Sequence, residues 1–162
     1  MRIGPVICRT DRFQNDRGFT LVEVLLVTVI IGILASMAMP QLQTALEKAR
    51  TARAIGDIDA IGWDLVEYEM VNGVFPNSLA GVGRAGRLDP WGNPYEYLKI
   101  KGTSGGRGQM RKDRFLVPIN SDFDLYSMGP DGRSSAPLTA SASHDDIIRA
   151  NDGGFVGVAA DY

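Results

Sequence analysis

Arg17-Gly18-Phe19-Thr20-Leu21-Val22-Glu23 opens a stretch that carries no further charge from Val24 to Met39. Phe19 to Met39 is 21 residues. As a helix it would reach about 31 Å at about 1.5 Å per residue, which matches a hydrocarbon core of about 30 Å. Glu23 is the one ionisable side chain inside it. A charge in a bilayer-length segment is costly and marks a functional site by default. An ordinary anchor with one tolerated Glu is the plainer reading, but Glu23 stands too deep for easy snorkelling. Gly32, Ala35, Ser36 and Ala38 permit close helix–helix approach. Thr28 and Ser36 can return hydrogen bonds to their own helix carbonyls. Pro40, which lacks an N–H, closes the apolar run.

Upstream, Met1 to Gly18 carries Arg2, Arg9, Arg12 and Arg17 against Asp11 and Asp16, a net of +2. A secretory signal would put a small-residue cleavage site after its apolar stretch; Ala35-Ser36-Met37 is a weak candidate. A leader cut before the apolar stretch follows the other logic, in which the basic part is lost and the anchor stays. The order of basic leader, Gly18-Phe19 junction, Glu23 and apolar run resembles the type IV pilin and pseudopilin superfamily. The resemblance favours the second logic and implies three parts: a cleaved leader over 1–18, a transmembrane and fibre-core helix over 19–40, and a periplasmic domain over 41–162. The leader's positive charge keeps the N-terminus cytoplasmic. Lys48, Arg50 and Arg53 flank the other end and temper that asymmetry.

At 162 residues the chain suits one small domain on a stalk. The whole chain is −2 and the leader +2, leaving −4 for the other 144 residues. A mildly acidic domain argues against nucleic acid as a partner. The single cysteine, Cys8, lies in the leader, so the processed chain can form no disulfide. No apolar segment precedes Cys8 to make it a lipidation site.

Beyond Pro40 the helical pattern becomes amphipathic. Leu42, Ala45, Leu46, Ala49, Ala52, Ile55, Ile58, Ile61, Leu65 and Tyr68 recur at three- and four-residue steps. Asn72-Gly73 supplies the stop, with Gly73 suited to a left-handed cap. One helix from Phe19 to about Asn72 follows, half anchor and half domain spine. The rest reads as strand and loop. Asp89-Pro90-Trp91-Gly92-Asn93-Pro94 is a tight turn feeding a strand over Tyr95–Ile100. Arg114–Ile119 is strand-like but holds Pro118, an edge or bent strand. Phe123–Met128 puts Phe123, Leu125 and Ser127 on one face. The expected fold class is therefore α+β: a long N-terminal helix packed on a small, three-stranded antiparallel sheet.

Asp89-Pro-Trp-Gly-Asn-Pro-Tyr95, then Asp124-Leu-Tyr-Ser-Met-Gly-Pro-Asp-Gly132, then Asp145-Asp146-Ile147 narrow the resemblance. Together they are similar to the major-pseudopilin family of type II secretion (general secretion pathway protein G), which Pro40 also fits. The likeness covers most of Gly18–Tyr97 and Asp122–Ile147. Against the family pattern, the segment between Phe75 and Asp89 is short and Gly102–Arg114 looks inserted. The 131–145 loop is longer, and the tail after Ile147 lacks an Asn-Trp.

The resemblance implies a pilin-like fold and a structural subunit rather than an enzyme. It implies cleavage after Gly18 by a prepilin peptidase and methylation of the new Phe19 amine. Glu23 would pair with the Phe19 amine of a neighbouring copy, a buried pair that sets register more than it adds stability. Further implied partners are minor pseudopilins and an inner-membrane platform with its ATPase, which build a periplasmic fibre that drives folded proteins across the outer membrane. The family also implies calcium in the C-terminal loop. Asp131 and Asp145 would be side-chain ligands, Met128 and Arg133 carbonyl donors, Ser143 a further oxygen and Asp146 a ligand or helper. Calcium takes six to eight hard oxygens, which suits these residue types; a solvated acidic turn is the plainer reading. His144, the sole histidine, is a poor calcium ligand.

No catalytic pattern supports an enzyme: the chain contains neither G-x-S-x-G nor H-E-x-x-H. Gly81-Val-Gly83-Arg-Ala-Gly86 spells a dinucleotide-binding string but follows no predicted strand. Two other functions stay open. One is a type IV pilus major subunit for adhesion, motility or DNA uptake, although those pilins usually close a loop with a cysteine pair. The other is a membrane-anchored periplasmic calcium-binding module that never polymerises.

Overall fold

The computed structural model describes residues 18–103 and 108–162. The predicted leader, including Cys8 but excepting Gly18, lies outside the described residues. The chain divides into two compact units, Met1–Leu42 and Gln43–Tyr162.

Helix α1 runs Leu21–Asn72 without a break, so Pro40 ends the apolar run but not the helix. Thr20 starts it: its hydroxyl and carbonyl both accept from the Glu23 N–H, at 3.2 and 3.1 Å. Glu23 thereby falls in the first turn, where the helix dipole favours an acid. Thr28 and Ser36 donate to the carbonyls of Leu25 and Ile33, as their positions suggest. At the far end Gly73 takes φ 74° and donates to the Glu69 carbonyl, the left-handed cap expected of it.

The sheet has four strands, not three: β1 Glu96–Lys99, β2 Phe123–Ser127, β3 Ile147–Ala150 and β4 Phe155–Val158. They form an antiparallel meander in chain order. Glu96 pairs with Tyr126, Tyr126 with Ile148, and Ile148 with Gly157. Arg114–Ile119 is not among them. Its Leu116 makes an isolated bridge to Asp113 and joins no strand of the sheet. Pro118 has no N–H to extend a ladder, and Arg114 sits at φ 45°. The tail after Ile147, unread as structure in the sequence, supplies β3 and β4.

Both faces of the sheet are covered. One packs on α1, where Ala54, Ile58, Ile61 and Leu65 meet Phe75, Tyr95, Phe123, Leu125 and Ile147. The other carries a smaller core of Ile119, Leu138, Ile148, Ala150 and Ala159. The helical stripe is thus core only from Ala54 onward. Leu42 and Leu46, expected to pack on the sheet, remain 59% and 50% exposed. One charged side chain of β3 enters this packing. Arg149 stacks its guanidinium 4.1 Å from the Phe123 ring and binds both carboxylate oxygens of Asp122.

Candidate functional site

Two regions hold the residues singled out by sequence. The first is the start of α1. Gly18, Phe19 and Glu23 are all exposed, as is every large apolar side chain from Leu21 to Met39. The segment is the one described helix long and apolar enough to cross a membrane. Among the described residues, nothing covers its apolar side chains.

The second region is the loop from β2 to β3, Met128 to Asp146, and a chain of hydrogen bonds builds it. The Asp89 turn is the root. Asp89 is buried; its Oδ1 accepts from the N–H groups of Trp91 and Asn93, and its Oδ2 from the Ser127 hydroxyl at 2.5 Å. The Ser127 oxygen accepts in turn from Gly129 N–H, and Asn93 donates to the Gly129 carbonyl. Gly129 must be glycine here. It sits at φ 64°, and a Cβ would lie 2.3 Å from the Asp145 carbonyl oxygen. That close approach brings Asp145 under the Pro130-Asp131 turn, where its Oδ2 accepts from Asp131 N–H at 3.1 Å. Asp131 Oδ1 caps the Arg133 N–H at 2.7 Å.

Asp146 points elsewhere. It is fully buried and its Oδ2 accepts from Arg111 Nη2 at 2.5 Å and from the Ser134 hydroxyl at 2.6 Å. Burial pushes its carboxyl above the ordinary value of 3.8, against the pull of Ser134 and Arg111. Ser143 is also buried; its hydroxyl accepts from Ser135 N–H and donates to the Ser135 carbonyl. The sequence reading missed Asp89, Asn93 and Arg111. The first two were visible as an Asp-Pro-x-Gly-Asn turn, since Asp side chains favour their own backbone two residues on. Arg111 left no local signal.

Residues 13–39 match the family model for the prokaryotic N-terminal methylation motif. Over most of its length the chain is similar to type II secretion system core protein G of several bacteria. It is 35% identical to that of Pseudomonas aeruginosa over 141 residues, which cover 74% of this chain and 87% of the relative. For Vibrio cholerae serotype O1 the figures are 32% over 148 residues, 79% and 90%. For Escherichia coli K12 they are 34% over 140 residues, 74% and 85%. The chain belongs to the type II secretion system core protein G family.

The resemblance implies six calcium donors in this loop, and the structure places them in two groups. The Asp145 carboxylate reaches the Asp131 backbone N–H, Asp131 Oδ1 accepts from the Arg133 N–H, and neither side chain is in an ion pair among the described residues. Met128 and Arg133 flank the same turn. Asp146 and Ser143 face the Arg111 side and are engaged there. No group of three Asp, Glu, His or Cys side chains gathers for a metal among the described residues. Asp131 and Asp145 thus offer the hard carboxylate oxygens a divalent cation takes, while Asp146 gives Oδ2 to Arg111 and keeps Oδ1 buried without a hydrogen-bond partner among the described residues.

Proposed function

We propose that this protein is the major subunit of a type II secretion pseudopilus, a helical homopolymer whose growth moves folded proteins across the outer membrane. The observation that carries the reading is the uncovered apolar first half of α1 with Glu23 in its opening turn, set in a chain similar to core protein G along most of its length. In this reading a prepilin peptidase cuts between Gly18 and Phe19 and the Phe19 amine is methylated. The subunit then waits in the inner membrane with its C-terminal domain periplasmic. An ATPase-driven platform and minor pseudopilins assemble it into the fibre. There the Glu23 carboxylate, out of water, meets the Phe19 amine of a neighbour, and Pro40 marks where the apolar run gives way to the domain spine. Deleting the gene and restoring it tests the role. Export of folded proteins and pseudopilus yield should vanish together and return together; secretion that persists in the deletion strain overturns the reading.

Calcium belongs to the same proposal. When bound, the ion would supply a positive centre that Asp131 and Asp145 share, holding the Pro130 turn to the start of β3. A ligand that binds only the folded form adds about 2.7 kcal/mol at a hundred times its Kd. The full chain in detergent should therefore melt higher in calcium than in chelator. Asp131→Ala should remove the difference, and magnesium should replace calcium poorly because it demands a smaller octahedral shell. An equal calcium response in wild type and Asp131→Ala would leave only a solvated acidic turn.

A further inference from the structure

Arg111 comes from a stretch that reads as an insertion, yet its side chain is 2% exposed. The guanidinium reaches three oxygens of the β2–β3 loop: Asp146 Oδ2 at 2.5 Å, Ser134 Oγ at 2.5 Å and the Ser135 carbonyl at 2.6 Å. The Ser134 hydroxyl closes the ring by donating to Asp146 Oδ2. The Tyr126 ring covers the guanidinium at 4.3 Å. The arginine's own backbone is rooted, with its N–H donating to Asp124 Oδ2 at 2.7 Å and its carbonyl accepting from Ile119 N–H. A carboxylate, a hydroxyl and a carbonyl are the hard oxygens that a divalent ion would gather. Here one planar fork of N–H donors takes all three.

We propose that Arg111 is the resident cation of this loop, tying its middle (Ser134, Ser135) to its end (Asp146) without a metal. The β2–β3 loop is then held at two independent places. One is the Gly129–Asp145 contact, where a divalent ion can add to the hold. The other is the Arg111 brace, which no chelator can remove. A buried carboxylate that loses its only cationic partner is strongly destabilising, so the brace is required and not decorative. The inference rests on the loop geometry alone, and it holds with or without calcium at Asp131 and Asp145.

The test uses the full chain in detergent, with calcium or with chelator. In chelator Arg111→Ala should melt lower than wild type by about 6–20 °C, the range expected for a broken buried pair in a domain of this size. Calcium should recover part of that loss, because Asp146, Ser134 and Ser135 are left as a vacated cation seat. The added recovery should disappear in Arg111→Ala/Asp146→Asn. An Arg111→Ala chain as stable as wild type in chelator, or with the wild-type calcium response, overturns the proposal. Should Arg111→Ala not fold, the wild-type chain decides by itself. Hydrogen exchange across residues 134–143 should be as slow in chelator as in calcium, also in Asp131→Ala; fast exchange there on chelation overturns the brace. Loss of the calcium response in Asp131→Ala with protection of 134–143 intact separates the two holds.

Discussion

The two halves of α1 spend the same kinds of residue in opposite ways. Ile30, Ile31 and Ile33 are 48–59% exposed, whereas Ile58 and Ile61 are wholly buried. The difference is in the pattern around them. From Val24 to Met39 apolar residues occupy every side of the helix, and such a helix needs an apolar surrounding on every side. Past Pro40 charged residues return and leave one stripe, which the sheet covers from Ala54 onward. Burial inside the chain thus follows from having a polar face to turn outward, and not from hydrophobicity itself.

The largest effect expected from breaking this contrast is all-or-none. Gly18→Val should block cleavage, because the peptidase cleft has to accept a residue without a side chain. Under the proposed processing, the exposed half of the helix would then keep its +2 leader and the chain would stay out of the fibre. Intact mass of membrane protein reads the result, and a Gly18→Val chain lacking its first 18 residues would refute the processing site. Next comes Glu23→Leu. The change makes the segment more apolar, so insertion should be normal and processing largely intact, while fibre yield falls to near zero. Wild-type fibre yield from Glu23→Leu would remove the carboxylate from any role in assembly.

The third prediction sets the halves directly against each other. Ile61→Ala should destabilise the domain by about 2–5 kcal/mol, since it leaves a cavity in a closed core. Leu26→Ala, in the uncovered half, should leave the domain's denaturant midpoint unchanged in detergent. Equal losses from the two would mean that the first half has an intramolecular partner after all.

The smallest effect lies at Glu47, near the first contact of the helix with the turn that anchors the loop. The Trp91 indole N–H donates to Glu47 at 3.0 Å, and this bond, aided by Arg50, holds the Glu47 carboxyl below its ordinary value of 4.5. A lowered carboxyl stabilises the folded form above the ordinary value, and that contribution fades as pH falls through the lowered one. Trp91→Phe should therefore cost a little stability at neutral pH, a difference that fades as pH falls below about 4.5 and leaves a slightly flatter acid limb. The group is exposed and water screens it, so a large change at pH 7 would contradict the assignment.

The helix was legible because each of its signals is local: an apolar run, a three-and-four step pattern, and an Asn72-Gly73 stop. The sheet was half legible. β2 carries an alternation that can be read, although its polar-looking face, with Asp124, is buried too. β3 and β4 are four residues each, and β3 buries both faces including Arg149, so neither shows a period of two. Arg114–Ile119 shows the apolar density of a strand with Pro118 breaking the ladder, and Phe115 ends up fully exposed. Within the loop, the Gly129-Pro130-Asp131-Gly132 turn was legible, but the reach of Asp145 to the Asp131 N–H was not, because 14 residues separate the two. Nor was the diversion of Asp146, because its partner lies 35 residues away in a stretch with no pattern.

One consequence of the uncovered half of α1 concerns direction of travel. Lipid tails and the flank of an identical helix are both hydrocarbon, so moving Leu21–Met39 from one to the other removes almost no apolar surface from water. Transfer between two such media has little hydrophobic drive. Under the proposed function, a helix of this kind would settle where it is put, and the work of moving it between bilayer and fibre would have to come from outside the subunit.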